Sequence, residues 1–184
     1  MRLEMAKQPE NRVQMPIREM DEHNAKVKER SVAIPVAVDD EGDLILWTKT
    51  KGVRVSSKVL SVASPVFKAM FNYYRIAPEG SSNEPYSMSV DADGNALEEL
   101  CQVLHHKPPA VSTDIEKLVQ FAKVCQKYQC IMAGKPRTEL CLPNFSSLRR
   151  LGSEDCVKVL YIISEFGMEG QFATTSKLSH TAKP

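Results

Sequence analysis

The chain lacks a charge excess of either sign: 24 Lys and Arg stand against 23 Asp and Glu over 184 residues, a formal net charge of +1. A surface that tracks phosphate backbones needs clustered basic residues, so direct nucleic-acid binding is not expected. Long apolar runs are missing too, so no membrane span is expected. Residues Met1–Glu10 hold no apolar signal core, which points to an intracellular address, cytoplasmic or nuclear. There is no Gly-rich phosphate loop, no His-Glu-x-x-His helix and no nucleophile elbow. The five cysteines form no Cys-x-x-Cys pair. They read as reduced thiols in place of a zinc site, with Cys101 and Cys125 at apolar helical positions.

What is present is a soluble composition, 42% hydrophobic and 26% charged. Residues 1–31 are charged, mixed in sign and poor in aromatics, the pattern of a disordered tail. Val36-Ala-Val38 and the continuously apolar Leu44–Trp47 flank the turn-rich Asp39-Asp-Glu-Gly42. That acidic turn lacks EF-hand spacing, so it reads as solvated. Lys49–Gly52 makes the next turn, and Val53-Arg-Val55 returns antiparallel. Tyr86–Val90 alternates as a further strand, with Tyr86, Met88 and Val90 on one face. The basic residues Lys49, Lys51, Arg54 and Lys58 gather around the hairpin, and Arg149-Arg150 form a second pair. Neither group has interleaved aromatics for base stacking.

Helices fill the rest. Ser56 or Ser57 can cap a helix carrying Val59, Leu60 and Ala63. Ser64-Pro65 opens the next, with Val66, Phe67, Met70 and Phe71 on its apolar side. Asn72–Pro85 reads as a loop. Asn95 with Glu98 forms a capping box ahead of Leu97, Leu100, Cys101 and Leu104. His105-His106 reads as an exposed pair at that helix's end, favourably placed against its dipole. Thr113 and Glu116 make a second box ahead of Ile115, Leu118, Val119, Ala122 and Cys125. Gly134-Lys-Pro136 and Leu142-Pro-Asn144 are predicted to break the chain. From Ser153 the pattern favours a helix with Val157, Leu160, Tyr161 and Ser164 on one face and Gly167 as its stop. Phe172–Leu178 can add one more turn.

The run Ser64-Pro-Val-Phe-Lys-Ala-Met-Phe71, preceded by a strand and a helix, resembles the centre of a BTB/POZ domain. Three further segments support the resemblance in the same order: Gly42–Trp47 as the Asp-led strand, Leu97–His106 as the third helix, and Ala122–Cys130 as a helix ending in Lys-Tyr-x-Cys. The likeness covers about residues 36–131 and is closest to a divergent group common in filamentous fungi. It implies an α+β fold, a small mainly antiparallel sheet packed against a cluster of helices. The expected layout is a tail over 1–31, a BTB/POZ-like domain over 32–132, and a helical extension with a polar tail over 133–184.

The resemblance also implies function: a non-enzymatic protein–protein interaction module that self-associates as a homodimer or larger homo-oligomer and serves as an adaptor or scaffold. No cofactor or metal is expected. Self-association would draw on the Val36–Trp47 strand region and the helix from Val59. The family's charged pocket would fall on Asp43 and Lys58, although Ser56-Ser57 stands where the family has His-Lys. An alternative is a ubiquitin-ligase adaptor that holds a cullin through Ala96-x-Glu98 or Leu97-x-Glu99 on the third helix, with Leu104 on the same element. Another is the oligomerisation domain of a nuclear transcriptional regulator. An unrecognised enzyme is the remaining class.

Overall fold

The turn after Trp47 sets the sheet. Thr48 closes it by donating its hydroxyl to the Lys51 carbonyl at 2.9 Å and accepting from the Thr50 and Lys51 amides. In a computed structural model, which describes residues 34–74, 85–108, 114–142 and 152–168, this turn joins β2 (Leu44–Trp47) to β3 (Gly52–Val55). They pair antiparallel, Leu44 opposite Val55 and Trp47 opposite Gly52. Gly52 is required there, because a Cβ would sit 2.7 Å from the Trp47 ring. Two further strands lie outside this pair: β1 (Val36–Ala37) beside β3 and β4 (Tyr86–Ser89) beside β2, giving the order β1-β3-β2-β4.

The fold is α+β, and its sheet is mixed. This corrects the expectation of a mainly antiparallel sheet: β1 runs parallel to β3, and β4 parallel to β2. Position in the sheet is the reason. A four-residue turn reverses the chain between β2 and β3, and the two helices after β3 carry it to the far side of β2, where β4 runs opposite to β3 and so parallel to its neighbour β2. β1 likewise does not form a hairpin with β2 across Asp39–Gly42.

Those two helices are α1 (Ser57–Ala63) and α2 (Pro65–Tyr74). Ser56 caps α1, accepting from the Val59 amide at 3.4 Å. Pro65 opens α2, and Phe67 and Phe71 point into the core. The helix runs to Tyr74, so Asn72–Tyr74 are helical where a loop was expected, and residues 75–84 of that expected loop lie outside the described residues. The apolar face of α3 (Gly94–Leu104) is as predicted, with Leu97, Leu100, Cys101 and Leu104 buried. Its cap is not: Asp93 accepts from the Asn95 and Ala96 amides, and a carboxylate two residues earlier displaces Asn95. Similarly Asp114 caps α4 (Ile115–Lys127), while Thr113 lies outside the described residues.

α5 (Ile131–Cys141) runs straight through Gly134 and Pro136, which were expected to break the chain. Gly134 lets α5 settle on α4, since a Cβ there would meet Cys125 Sγ at 2.7 Å and the rings of Phe166 and Phe121 just beyond 3 Å. The last helix among the described residues, α6 (Ser153–Glu165), packs on α4 through Val159, Ile162 and Ile163. Val157 and Ser164, read as sharing a face with Leu160 and Tyr161, are exposed, while Leu160 and Tyr161 are half-buried. Helices α5 and α6 contribute to the same core as the sheet.

Three helices end alike. His106, Gln129 and Gly167 take positive φ after α3, α4 and α6. Each is followed by an amide that reaches back five residues: Lys107 to Gln102, Cys130 to Cys125, and Met168 to Ile163. This satisfies carbonyls the helix end leaves open. Only Gly167 announces such an end by residue type. The predicted tail over 1–31, the Leu142-Pro-Asn144 break beyond Leu142, Arg149-Arg150 and Phe172–Leu178 lie outside the described residues.

Candidate interaction surface

The edge strand β1 is the least covered part of the sheet. It pairs with β3 on one side, Val36 with Val53 and Ala37 with Arg54, and among the described residues no strand lies on its other side. The neighbouring Val38 and Asp39 amides both donate to the Arg54 carbonyl, at 3.0 and 3.1 Å. Arg54 in turn donates from Nε to the Gly42 carbonyl at 2.8 Å. The edge is therefore anchored at its C-terminal end. Its apolar side chains are not covered: Ile34 is 93% exposed and Val36 is exposed beside it. Other large apolar groups at the surface are Val62 on α1, Met132 and Leu140 on α5, Val157 on α6 and Tyr73 on α2.

The residues that the sequence nominated for interaction are mostly engaged within the chain. Asp43 accepts from the Ser57 amide at 2.7 Å and the Ser57 hydroxyl at 2.5 Å, fixing the start of α1. Lys58 is exposed and forms no ion pair among the described residues, so within one chain Asp43 and Lys58 are not paired. Val59 is half-buried against the core.

On α3, Leu97 and Leu104 are core residues, which corrects their assignment to a docking surface. The helical stripe that carries them faces the sheet and α4, so it fills the interior. Glu98 pairs with Lys51 at 2.7 Å. Glu99 pairs with Arg137, whose guanidinium is nearly inaccessible and lies 4.3 Å over the centre of the Phe121 ring. Burial pushes the Glu99 carboxyl above its ordinary value, outweighing the opposing pull of Arg137. Arg137 Nε and Nη1 are buried without a partner among the described residues. Nothing in the local sequence marked this arginine.

Of the basic residues around the hairpin, Lys51 pairs with Glu98 and Arg54 donates to a backbone carbonyl, whereas Lys49 reaches Asp91 only at 4.0 Å with both side chains exposed, and Lys58 forms no ion pair among the described residues. The thiols of Cys101, Cys125 and Cys130 are pushed up, chiefly by burial, so thiolate is disfavoured at each. Among the described residues no group of three or more His, Cys, Asp or Glu side chains is placed to hold a metal ion. No helix among them is long and apolar enough to cross a membrane.

His105 departs from its expected role. It is half-buried, and its ring joins two elements: Nδ1 lies 2.8 Å from the Cys101 carbonyl and Nε2 lies 3.1 Å from the Ser56 amide. A carbonyl can only accept and an amide N–H can only donate, so Nδ1 carries the proton and Nε2 is bare. The neutral tautomer thus ties the end of α3 to the start of α1. No known protein-family model matches this chain, and no curated protein matches its sequence.

Proposed function

We propose that this chain is a non-enzymatic protein–protein interaction module of the BTB/POZ type, intracellular, which self-associates along the β1 edge and serves as an adaptor or scaffold. The observation that carries this reading is the β1 edge, which has no strand on its outer side among the described residues, with Val36 exposed on it and Ile34 exposed just before it. An edge strand presents backbone N–H and C=O groups that a strand from another chain can pair with, and apolar side chains beside them add burial to that pairing. The order of elements supports the family reading: strand, helix, a second helix opening Ser64-Pro65, then strand and helices. The cullin alternative draws little support, because Leu97 and Glu99 are both occupied inside the chain.

The test is chemical cross-linking of the whole chain at matched concentrations in three variants. Ile34→Lys and Val36→Lys place charge on the edge, and Val157→Lys places the same charge on exposed α6. Loss of the cross-linked dimer in the two edge variants alone supports the reading. A dimer that persists in both removes β1 as the interface.

A further inference from the structure

We infer that His105 is an acid-sensitive latch, closed while its ring is neutral and opened by protonation, that couples the N-terminus of α1 to the acidic turn between β1 and β2. The inference begins from hydrogen-bond polarity. Ser56 N–H meets a bare ring nitrogen at 3.1 Å. A proton on that nitrogen would set donor against donor at the same distance, and the bond could not survive. The other nitrogen donates to Cys101 in either state, so the ring has a fixed hinge and one switchable contact.

The surroundings give the protonated ring somewhere to turn. His105 lines an open cleft with Val38, Asp39, Asp40, Glu41 and Lys107. Three acidic residues of the β1–β2 turn thus share the cleft with the ring, as does Lys107 from its own helix end; Asp40, Glu41 and Lys107 are exposed. Just before β2, Asp43 is held by Ser57, next to the ring's partner. From α1, Lys58 is exposed. His106 is exposed beyond the ring. The contact to Ser56 needs a bare Nε2, and a protonated ring cannot keep it. The turn is ordered through Asp39 Oδ1, which accepts from the Glu41 amide at 3.1 Å, so a cationic ring competes for a carboxylate that shapes the turn.

Ser56 N–H is the reporter. The full chain is followed by nitrogen-15 NMR from about pH 8 to pH 5, the interval in which histidines change charge. His105→Gln and His106→Gln serve as comparisons. We expect His105 as the Nδ1–H tautomer at the upper end. As its ring gains charge, the protection of the Ser56 amide, corrected for intrinsic exchange, should fall about tenfold. The fall should persist in His106→Gln and vanish in His105→Gln, whose side-chain carbonyl can accept but not titrate. An Nε2–H tautomer, a Ser56 amide indifferent to ring charge, or an unchanged fall in His105→Gln would each overturn the latch. The tautomer and the wild-type titration need no substitution, so they decide the matter even if a variant folds poorly.

Discussion

The Ser64 hydroxyl donates to the Tyr128 carbonyl at 2.6 Å across sixty-four positions of sequence, while accepting from the Phe67 amide at 3.1 Å. One buried oxygen therefore starts α2 and ties it to the end of α4. The Phe67 ring stacks on Tyr128 at 4.2 Å between centroids, nearly parallel, so the same two segments meet through both polar and apolar contact.

Removing that oxygen leaves a helix amide without its partner and leaves the buried carbonyl only the weak donor Cys130 Sγ, at 3.3 Å. Ser64→Ala is expected to lower stability by about 2 kcal/mol, combining a lost cap with a lost buried hydrogen bond. Urea denaturation measures it. A loss within experimental error of zero would mean that α2 is held by Phe67 packing alone.

Much of this region was legible because its signals are local. A serine before a proline, an apolar stripe at helical spacing and a turn between two apolar runs each fix a conformation within a few residues. The parts that escaped depend on distant partners. The direction of β4 follows from the path through α1 and α2, which strand pattern does not encode. Gly134 and Pro136 look like breakers until Cys125, Phe121 and Phe166 supply the surface that α5 needs to approach closely. α6 has two apolar faces, and only its seat on α4 selects Val159, Ile162 and Ile163.

The candidate surface was less legible for the same reason. Leu97 and Leu104 share a stripe that reads equally well as core or as interface, and burial places both in the core. The two-residue strand β1 is too short for alternation to show which side is open. His105 gave no warning of its bridge, because Ser56 is forty-nine positions away.

Arg137 and Glu99 make stability depend on pH in a defined direction. Burial raises the Glu99 carboxyl and Arg137 pulls it down. Arg137→Met removes the pull, so the folded state then prefers the protonated acid more strongly. That contribution is present below the ordinary carboxylate value and is lost as pH rises through the folded one. The variant should be less stable than wild type by about 3 kcal/mol near neutral pH. The deficit should shrink at about pH 4. Denaturant titrations at both pH values measure it, and an equal deficit at each would show that Glu99 does not sense the arginine.

Tyr128 supplies a test at alkaline pH. Burial, the main cause, pushes its phenol from the ordinary 10 up to about 12. With the folded value raised, the contribution is complete below 10 and is lost as pH rises through about 12. Ultraviolet titration of tyrosinate should show a late step that coincides with unfolding, and Tyr128→Phe should lack it. A folded chain in which all five tyrosines ionise together would contradict this burial.

The mass of the unmodified chain in solution bears on the interaction reading as a whole. Multi-angle light scattering from low to high micromolar concentration is expected to give a value that rises toward twice the chain mass of 20.6 kDa or above. A value fixed at 20.6 kDa across the whole range would contradict self-association and leave the β1 edge without its proposed occupant.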